Sequence, residues 1–450
     1  MAIEFSAREF LLPFSILRMR RNLMRTQWLD ERGLRDYQDE RLRAAIRHAV
    51  EHVPYYRRLF AELGLHPDDI DTADDLRKLP HLERETVRLN AEAFHTEDWM
   101  CYRPRAERTS GTSGVPLEFY TDRDSSALEF VHYWRHWGWA GYRLGDRFAE
   151  LASIHFLRRP HLDGKNFDLQ RAYGRLLLNS MRLSHDNARE YLTELARFKP
   201  RFLKGLPSAL FHLAELVPAS GLVIPRLRAV FCGGETVTRE MRLAIENAFQ
   251  CPLLDSYGHM ERTACIAQCL EGSYHVLSDY GLLELLDLQP AEENGIELAA
   301  AVGTTLYNRA MPLIRYEIGD LIEVYSNPPR CRCGRSFPIV RGIRGRGASA
   351  IVTPEGRVES ALFALPAILP GIAFLQFVQE VPERVEVRVV RTNTAGNDDD
   401  ANLRRCIREA LGSSIEVRLR YVLLEETARD ESGKRPVVIS SIRVMPPGAR

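Results

Sequence analysis

The chain has 450 residues, and its 61 Lys and Arg balance 61 Asp and Glu, so the formal net charge is zero. This balance argues against a general nucleic-acid binder, because such proteins gain affinity by neutralising phosphates. Apolar residues make up 45% and charged residues 27%, which is typical of a globular protein with room for a large domain and a smaller one. Eight cysteines are too few for a disulfide scaffold, so a reducing, cytoplasmic location is expected.

Neither a signal peptide nor a membrane span is predicted. An acid, Glu4, lies close to the N-terminus, and no small-residue cleavage site follows the apolar stretch there. The longest uncharged stretch, Ser360–Gln379, is interrupted by Pro366, Pro370 and Gly371, which argue against a spanning helix.

Residues 1–95 are predicted to form a mainly helical extension. Apolar side chains recur at the spacing of a helix stripe at Leu34, Tyr37, Leu42, Ala45, Ile46, Ala49, Val50 and Val53. Pro54 is expected to end this helix. A basic cluster precedes it, at Arg18, Arg20, Arg21 and Arg25. We interpret the cluster as a solvated helix face, with an interaction patch as the alternative.

The middle of the chain alternates short apolar runs with helical patterns. The strand Leu227–Cys232 is followed by two glycines and then by a helical pattern over Arg239–Phe249. Later strands are predicted at Gly281–Leu288 and Glu297–Val302. This succession of strand, loop and helix is typical of an α/β core.

The tail has a different pattern. Val385–Val389 and Ile415–Leu419 alternate strictly, and Asp400–Leu411 between them is helical in pattern. These elements predict a small α+β domain. The glycine-rich segment Arg341–Gly347 is interpreted as a hinge. The predicted fold class is therefore α/β, with a large N-terminal domain over 1–343 and a small mobile α+β domain over 344–450.

A hydroxyl-rich loop, Thr109-Ser110-Gly111-Thr112-Ser113-Gly114, is the first candidate site. Glycine permits left-handed backbone angles, so amide groups of such a loop can converge on an anion. No Gly-Lys-Ser/Thr follows, so this is not the common P-loop. A polar surface turn is the alternative.

Two further candidates follow predicted strands. Gly234 and Glu235 come at a strand end, where ligands dock in open α/β sheets, although a tight turn is the simpler alternative. The second candidate is the run Asp255-Ser256-Tyr257-Gly258-His259-Met260-Glu261. Its tyrosine ring can lie on a planar base, and Glu261 can bind Mg²⁺. The alternative for Glu261 is a charge at a helix start.

Asp320 and Lys434 complete the set of candidates. Asp320 follows a glycine in Pro312–Asp320, and a carboxylate there can accept two hydrogen bonds from a ribose diol. Lys434 lies in Ser432-Gly433-Lys434-Arg435-Pro436, where a lysine on a loop can reach a developing anion. A turn aspartate and an ordinary exposed lysine are the alternatives.

The order and spacing of these motifs resemble the adenylate-forming (ANL) superfamily, and within it the phenylacetate–CoA ligases and their CapK-type relatives. The resemblance covers nearly the whole chain. Segments that carry the CapK-type resemblance are Val53–Arg57, Gly141–Asp146, Lys199-Pro200, Gly205–Ala209, Pro312–Asp320 and Gly433–Ser440.

The resemblance implies an ATP-dependent ligase. A carboxylate, aryl or short acyl, attacks the α-phosphorus of ATP, pyrophosphate leaves, and a thiol such as coenzyme A or another nucleophile takes the acyl group. It implies that Thr109 to Gly114 cradle the phosphates and that Gly234, Glu235, Asp255, Ser256, Tyr257 and Gly258 surround the adenine. It further implies that Glu261 binds Mg²⁺, Asp320 the ribose, Arg346 the nucleotide near the hinge, and Lys434 the α-phosphate.

This sequence departs from the superfamily pattern at two places. Val115 replaces the lysine that commonly ends the phosphate loop, and the hinge reads Gly345-Arg346-Gly347-Ala348-Ser349 without the usual aspartate. Two alternatives therefore stay open: direct AMP transfer to a hydroxyl-bearing substrate, and a nucleotide-binding relative without catalysis. The sequence does not name the acid, and Trp134, Trp137, Trp139 and Tyr142 either line its pocket or pack in the core, with packing favoured.

A Cys₃His set is the last candidate. Cys269-x₅-His275 and Cys331-x-Cys333 supply four ligands, which would close a tetrahedral zinc site without an open position, so the zinc would be structural. Cys265 is a rival ligand, and scattered reduced cysteines are the alternative to a metal site. A DNA-binding zinc module is disfavoured by the zero net charge.

Overall fold

In the computed structural model the chain folds into two compact units. One unit comprises Ile3–Leu144 with Leu254–Arg344, and the other comprises Gly145–Leu253 with Gly345–Arg450. The units do not follow the division at 343/344, which stays a prediction about domains. The structure describes residues 13–109, 117–152, 162, 164–180, 182–183, 186–291, 293–346, 351–352, 354, 358–359, 369, 371–392, 396–411, 414–429 and 435–442.

The first unit begins with a helical layer, as predicted. Asp30 caps the helix Glu31–His52 by accepting a hydrogen bond from Gly33 N at 2.8 Å. Pro54 occupies the first turn of the next helix, so the proline ends one helix by starting another. The α-helices of this unit are Pro13–Thr26, Glu31–His52, Pro54–Leu63, Arg84–Leu89 and Arg123–Trp139, and its 3₁₀ helices are Pro67–Asp69, Ala73–Lys78, Ala91–Phe94 and Trp99–Tyr102.

Paired strands, mostly antiparallel, make up the sheets of the first unit. Arg105–Thr109 pairs with Leu117–Thr121. Leu253–Gly258, Cys265–Gln268, Tyr274–Val276 and Ile339–Val340 pair in succession. The third group has the order Gly281–Pro290, Ile296–Thr305, Tyr316–Tyr325 and Gly342–Arg346. The segment predicted as a hinge is therefore largely a strand.

A parallel sheet is the centre of the second unit. Its strand order is Ala229–Gly233, Phe202–Gly205, Phe148–Leu151 and Arg175–Leu178, with Phe167–Gln170 antiparallel at the edge. Its α-helices are Ala188–Phe198, Pro207–Ser220 and Arg239–Phe249, and a 3₁₀ helix covers Arg171–Tyr173. The predicted strand, loop and helix at 227–249 are confirmed.

The second unit also contains the predicted small sheet. Its strand order is Glu416–Tyr421, Arg384–Arg391, Ile372–Val381 and Val438–Ser440. The helix Asn397–Leu411 packs Leu403, Ile407 and Leu411 into the sheet's apolar core. The remaining elements are the strand pair Ile351–Val352 and Val358–Glu359 and the 3₁₀ helix Leu424–Glu426. With the parallel sheet, these elements confirm the α/β fold class.

The aromatic side chains of the helix Arg123–Trp139 pack in the interior of the first unit. Trp137 and Tyr142 are buried, and Trp134 and Trp139 pack against the core. The N-terminal basic cluster is partly engaged, since Arg18 pairs with Asp124 and Arg20 lies over the Trp134 ring. None of the described helices combines the length and the apolar character that crossing a bilayer demands.

Candidate nucleotide site and metal cluster

Tyr257 and Asp320 lie together in the first unit although 63 positions separate them. The Tyr257 hydroxyl donates to Asp320 Oδ2 at 2.6 Å. Tyr257 lies near the end of the strand Leu253–Gly258, whose residues Leu253–Ser256 are buried, and Asp320 lies in the strand Tyr316–Tyr325 with 8% exposure. The structure thus joins the residue predicted to face the base to the residue predicted to bind the ribose.

The strand that carries Asp320 is held by the N-terminal helices. Tyr56, only 1% exposed, donates to Pro312 O at 3.1 Å and accepts from Ile314 N at 2.9 Å. Leu82 N donates to Arg315 O at 2.8 Å, which adds a bridge to the start of the same strand. The segments Val53–Arg57 and Pro312–Asp320, both part of the resemblance, therefore form one packed structure.

Asp255 and Ser256 are built into the sheet beside Tyr257. Asp255 Oδ2 accepts from the Tyr274 hydroxyl at 3.0 Å, and Asp255 N donates to Gln268 Oε1 at 3.2 Å. Ser256 pairs with Ala267, and Gly258 pairs with Cys265. This part of the motif fixes the strand that presents Tyr257.

Glu261 is a buried carboxylate in the same unit. Its Oε1 accepts from the Tyr316 hydroxyl at 3.1 Å, and its Oε2 lies 3.0 Å from His259 Nδ1. Arg84 Nη1 lies 3.8 Å from Glu261 Oε1. Burial opposes ionisation, but the hydrogen bond and charge of His259, together with the Tyr316 hydroxyl, outweigh it and lower the pKa of Glu261 to about 2. Glu261 is therefore a fixed negative charge at neutral pH.

A close approach of two strands fixes the loop after Glu261. A Cβ on Gly281 would lie 2.0 Å from Thr263 O, and a Cβ on Gly303 would lie 1.9 Å from Thr263 Oγ1. Only glycine fits at both positions, so the sheet can pack directly against the loop. Thr263 Oγ1 in turn lies 3.0 Å from His259 Nε2, which orients the imidazole toward Glu261.

Tyr316 and Arg84 were not among the residues that the sequence predicted. Tyr316 lies within Pro312–Asp320, so the motif contained it, but its role depends on a contact across 55 positions. Arg84 belongs to no motif and comes from the helix Arg84–Leu89. Only the fold reveals these two partners of Glu261.

Glu235 in the second unit holds two separate segments. Its carboxylate accepts from Ser208 N at 2.9 Å and from Ser208 Oγ at 3.1 Å, at the start of the helix Pro207–Ser220. It also accepts from Arg435 N at 3.2 Å. Gly234, with φ of 85°, supplies the left-handed turn that precedes Glu235. Glu235 thus connects the Gly-Glu motif to the residue after Lys434.

Several predicted residues have no described side chain. Ser110, Gly111, Thr112, Ser113, Gly114 and Lys434 lie outside the described residues. Thr109 ends the strand Arg105–Thr109 and Arg346 ends the strand Gly342–Arg346, and only their backbone belongs to the described part. The roles of these residues stay predictions.

The Cys₃His set comes together in the first unit. The ligand atoms of Cys269, His275, Cys331 and Cys333 all lie within 4.8 Å of one another. Cys269 Sγ lies 3.6 Å from Cys331 Sγ, and Cys333 Sγ lies 3.3 Å from His275 Nε2. Zinc–sulfur bonds of about 2.3 Å in a tetrahedron place two sulfurs about 3.8 Å apart, so these residues fit a zinc ion.

The contacts of Cys265 distinguish it from the four residues of the Cys₃His set. Cys265 Sγ lies 3.1 Å from His132 Nε2 and 3.1 Å from Tyr257 O, within a different buried group. Burial would raise the pKa of Cys331, but hydrogen bonds from Ser273 and from the Cys333 amide outweigh burial and lower it. Burial lowers the pKa of His275 to about 4.

The fold is that of an acyl-CoA ligase. A solved 2-hydroxyisobutyryl-CoA ligase, in the postadenylation state with R3-HIB-AMP, matches with a TM-score of 0.68 at 20% identity over 92% of this chain and 91% of that chain. The same ligase in the thioesterification state with 2-HIB-AMP and CoA matches with a TM-score of 0.55 at 20% identity, over 92% and 91% of the two chains.

Sequence comparison gives matches of higher identity than the two solved structures. The chain is 29% identical to a phenylacetate–coenzyme A ligase of Pseudomonas putida over 66% of this chain and 68% of that one. It is 27% identical to the Thermus thermophilus enzyme of the same name over 80% and 82%. It is 21% identical to Protein CapK of Staphylococcus aureus over 91% and 89%. No family model matches. The chain is therefore similar in sequence to phenylacetate–coenzyme A ligases and to Protein CapK, the proteins that its motifs resemble.

Proposed function

We propose that this protein is an ATP-dependent ligase that activates a carboxylic acid as its acyl-adenylate and then transfers the acyl group to coenzyme A. The relatives named phenylacetate–coenzyme A ligase support the reaction class. The Tyr257–Asp320 hydrogen bond is the observation that carries the proposal. It joins a ring for the base and a carboxylate for the ribose, the two groups by which a nucleoside is recognised.

Catalysis at a phosphoryl group depends mainly on positioning of the reactants and on neutralisation of the phosphate charge, and less on covalent catalysis by the protein. Glu261 is the proposed Mg²⁺ ligand. Each carboxylate oxygen has two lone pairs and Mg²⁺ takes only one or two protein carboxylates, so the donors already on Glu261 leave capacity for the ion. Bound Mg²⁺ would neutralise phosphate charge as pyrophosphate leaves.

The remaining roles follow the resemblance. Thr109 to Gly114 would cradle the phosphates through backbone amides, and Arg346 would contact the nucleotide. Lys434 would stabilise the α-phosphate and the attacking carboxylate. Because Val115 takes the place of a phosphate-loop lysine, Lys434 and Mg²⁺ carry the positive charge that this loop does not supply.

The proposal is tested by ATP–pyrophosphate exchange with a panel of acids that includes phenylacetate, benzoate and 2-hydroxyisobutyrate. We expect Mg²⁺-dependent exchange with at least one acid, because adenylation is reversible, and thioester formation when coenzyme A is added. Absence of exchange with every acid would contradict acid activation. AMP found covalently on a hydroxyl-bearing substrate would indicate direct AMP transfer instead.

We also propose that Cys269, His275, Cys331 and Cys333 hold a structural zinc ion. Their four ligand atoms form a closed set, and a closed tetrahedral site leaves no position for substrate. Bound zinc would tie the segment at 269–275 to the segment at 331–333. The cytoplasmic location expected from the cysteine content stays a prediction.

Metal analysis tests the zinc proposal. Protein purified without chelator is expected to contain about one zinc per chain, and the double substitution Cys331→Ser and Cys333→Ser is expected to abolish it because two of four ligands are lost. Cys101→Ser, which removes an exposed thiol, is the matched control. Wild-type protein without stoichiometric zinc, or a double variant that retains it, would overturn the assignment.

A further inference from the structure

The first described helix, Pro13–Thr26, has an inner face that packs into the apolar core of its unit. On this face Met19 is 3% exposed and Leu23 is 0% exposed. Leu23 O also accepts a hydrogen bond from the buried Arg135 Nη1 at 3.2 Å. These contacts fix the rotation of the helix about its axis, so the opposite face is held outward.

The outer face of this helix exposes large apolar side chains. Phe14 is 82% exposed, Leu17 59% and Met24 42%. Their spacings of three and seven residues place them on one side of the helix. Trp28, 58% exposed, follows directly after the helix. Single exposed apolar residues are ordinary, but several along one face indicate an interaction surface.

The charged residues of the same helix are all positive. The helix contains four arginines and no acidic residue, although the whole chain is neutral: Arg18, Arg20, Arg21 and Arg25. Arg18 stays largely exposed despite its ion pair with Asp124. Arg21 and Arg25 are exposed, and no acidic side chain in the described part of the chain pairs with either. The outer face therefore combines uncompensated positive charge with exposed apolar side chains.

We propose that the outer face of Pro13–Thr26, together with Trp28, docks on the surface of an anionic lipid bilayer. Arginines attract negatively charged headgroups, and apolar side chains on the same face are buried just below them. Tryptophan favours this depth because its ring is apolar and its N–H is polar. The helix would lie in the plane of the interface.

Charge favours a bilayer over a second copy of this chain as the occupant of this face. A two-fold contact would place the same helix of both copies face to face. Arginines of one copy would then lie against arginines of the other, which costs free energy because like charges repel. An anionic bilayer offers the opposite charge and an apolar interior at once.

Vesicle binding by the intact protein tests this proposal. The protein is mixed with vesicles of phosphatidylcholine alone, or of phosphatidylcholine and phosphatidylglycerol in equal amounts, and the vesicles are sedimented. We expect sedimentation with the mixed vesicles only, because the apolar side chains alone are too few for stable binding. Raising the salt concentration should release the protein, since salt screens exposed charges.

Two double variants separate the contribution of charge from that of apolar contact. Arg21→Glu with Arg25→Glu reverses two exposed charges and should lower the partition coefficient on mixed vesicles by on the order of 10-fold or more. Leu17→Ser with Met24→Ser keeps the charge but removes apolar contact, and it should lower the same coefficient by a similar factor.

Each double variant has a matched control elsewhere in the first unit. Arg58→Glu with Arg77→Glu makes the same change in net charge at two exposed arginines. Leu89→Ser with Met100→Ser removes two exposed apolar side chains. Both controls should bind nearly as wild type does. Thermal unfolding of all four variants should stay near wild type because every substituted side chain is exposed, so a loss of binding reports on the surface and not on the fold.

Several outcomes would overturn the docking of this face on a bilayer. Wild-type protein that does not sediment with mixed vesicles, or that sediments equally with both kinds, contradicts it. So does equal binding by the helix variants and their controls. A loss in the charge variant alone would indicate adsorption without the apolar face, and a wild-type dimer that Leu17→Ser with Met24→Ser dissociates would assign the face to a second copy. Vesicle binding is measured without ATP or acid, so each of these results leaves the proposed ligase activity untouched.

Discussion

Lys434→Ala is expected to slow pyrophosphate exchange by on the order of 10²–10³-fold, as for other lost preorganised donors at a developing charge. The expected effect is large because Val115 stands where the phosphate loop commonly has a lysine, so this loop lacks that positive charge. No second lysine is then proposed for the α-phosphate. The lost interaction belongs to the transition state, so kcat should fall with little change in KM for ATP.

Two companion variants sharpen this measurement. Lys434→Arg keeps the positive charge but replaces the compact ammonium group by a planar guanidinium group. It should therefore recover only part of the wild-type rate of pyrophosphate exchange. Lys165→Ala removes an exposed lysine of the same unit and should match wild type. Thioester formation from supplied acyl-adenylate should survive in all three. Exchange at the wild-type rate in Lys434→Ala would remove this lysine from the mechanism.

Local signals predicted the elements of the fold well. Pro54 marks a helix boundary because its ring fits the first turn of a helix and not the interior. The alternating run Val385–Val389 lies inside the strand Arg384–Arg391 because one face of that strand is buried. The segment at 341–347, interpreted as a hinge because of its glycines, contains the strand Gly342–Arg346, and its role as a hinge stays a prediction. Pairing partners, which the local sequence does not contain, overrode the local preference.

Local sequence patterns did not predict which elements pack together into each compact unit. Residues 145–253 form a compact unit with residues 345–450, and this arrangement depends on contacts between segments far apart in sequence. The shared apolar cluster that contains Leu203 and Leu210 also contains Phe374 and Val390. Periodicity shows that each of these residues is buried, but not against which other residue.

The candidate site shows the same limit. Motif spacing identified Tyr257, Asp320, Glu261 and the Cys₃His set as candidate functional residues, and the structure brings Tyr257 to Asp320 and the four residues of the Cys₃His set to one another. Spacing does not reveal that Tyr316 and Arg84 both lie beside Glu261. Tyr316 lies inside a motif and Arg84 in none, but in both cases the contact with Glu261 depends on the fold and not on local spacing.

Glu261→Gln is expected to lower adenylation by on the order of 10²-fold at limiting Mg²⁺, with partial recovery as Mg²⁺ is raised, because metal ions contribute several kcal/mol of charge stabilisation. Glutamine is nearly isosteric. Its carbonyl can still accept from Tyr316, so the packing around position 261 should persist while the negative charge is lost.

Glu284→Gln is the matched control for Glu261→Gln. It also removes a carboxylate charge of the first unit, one that pairs with Arg315 at 2.8 Å and that we have not placed in the nucleotide site. Thermal unfolding of both variants measures how much stability the protein loses when a partly buried carboxylate charge is removed. If Glu261 binds Mg²⁺, only Glu261→Gln should raise the Mg²⁺ concentration for half-maximal exchange, since an ion pair elsewhere does not change affinity for the cation. Equal Mg²⁺ dependence in Glu261→Gln and wild type would assign Glu261 to the support of Tyr316 and His259 instead.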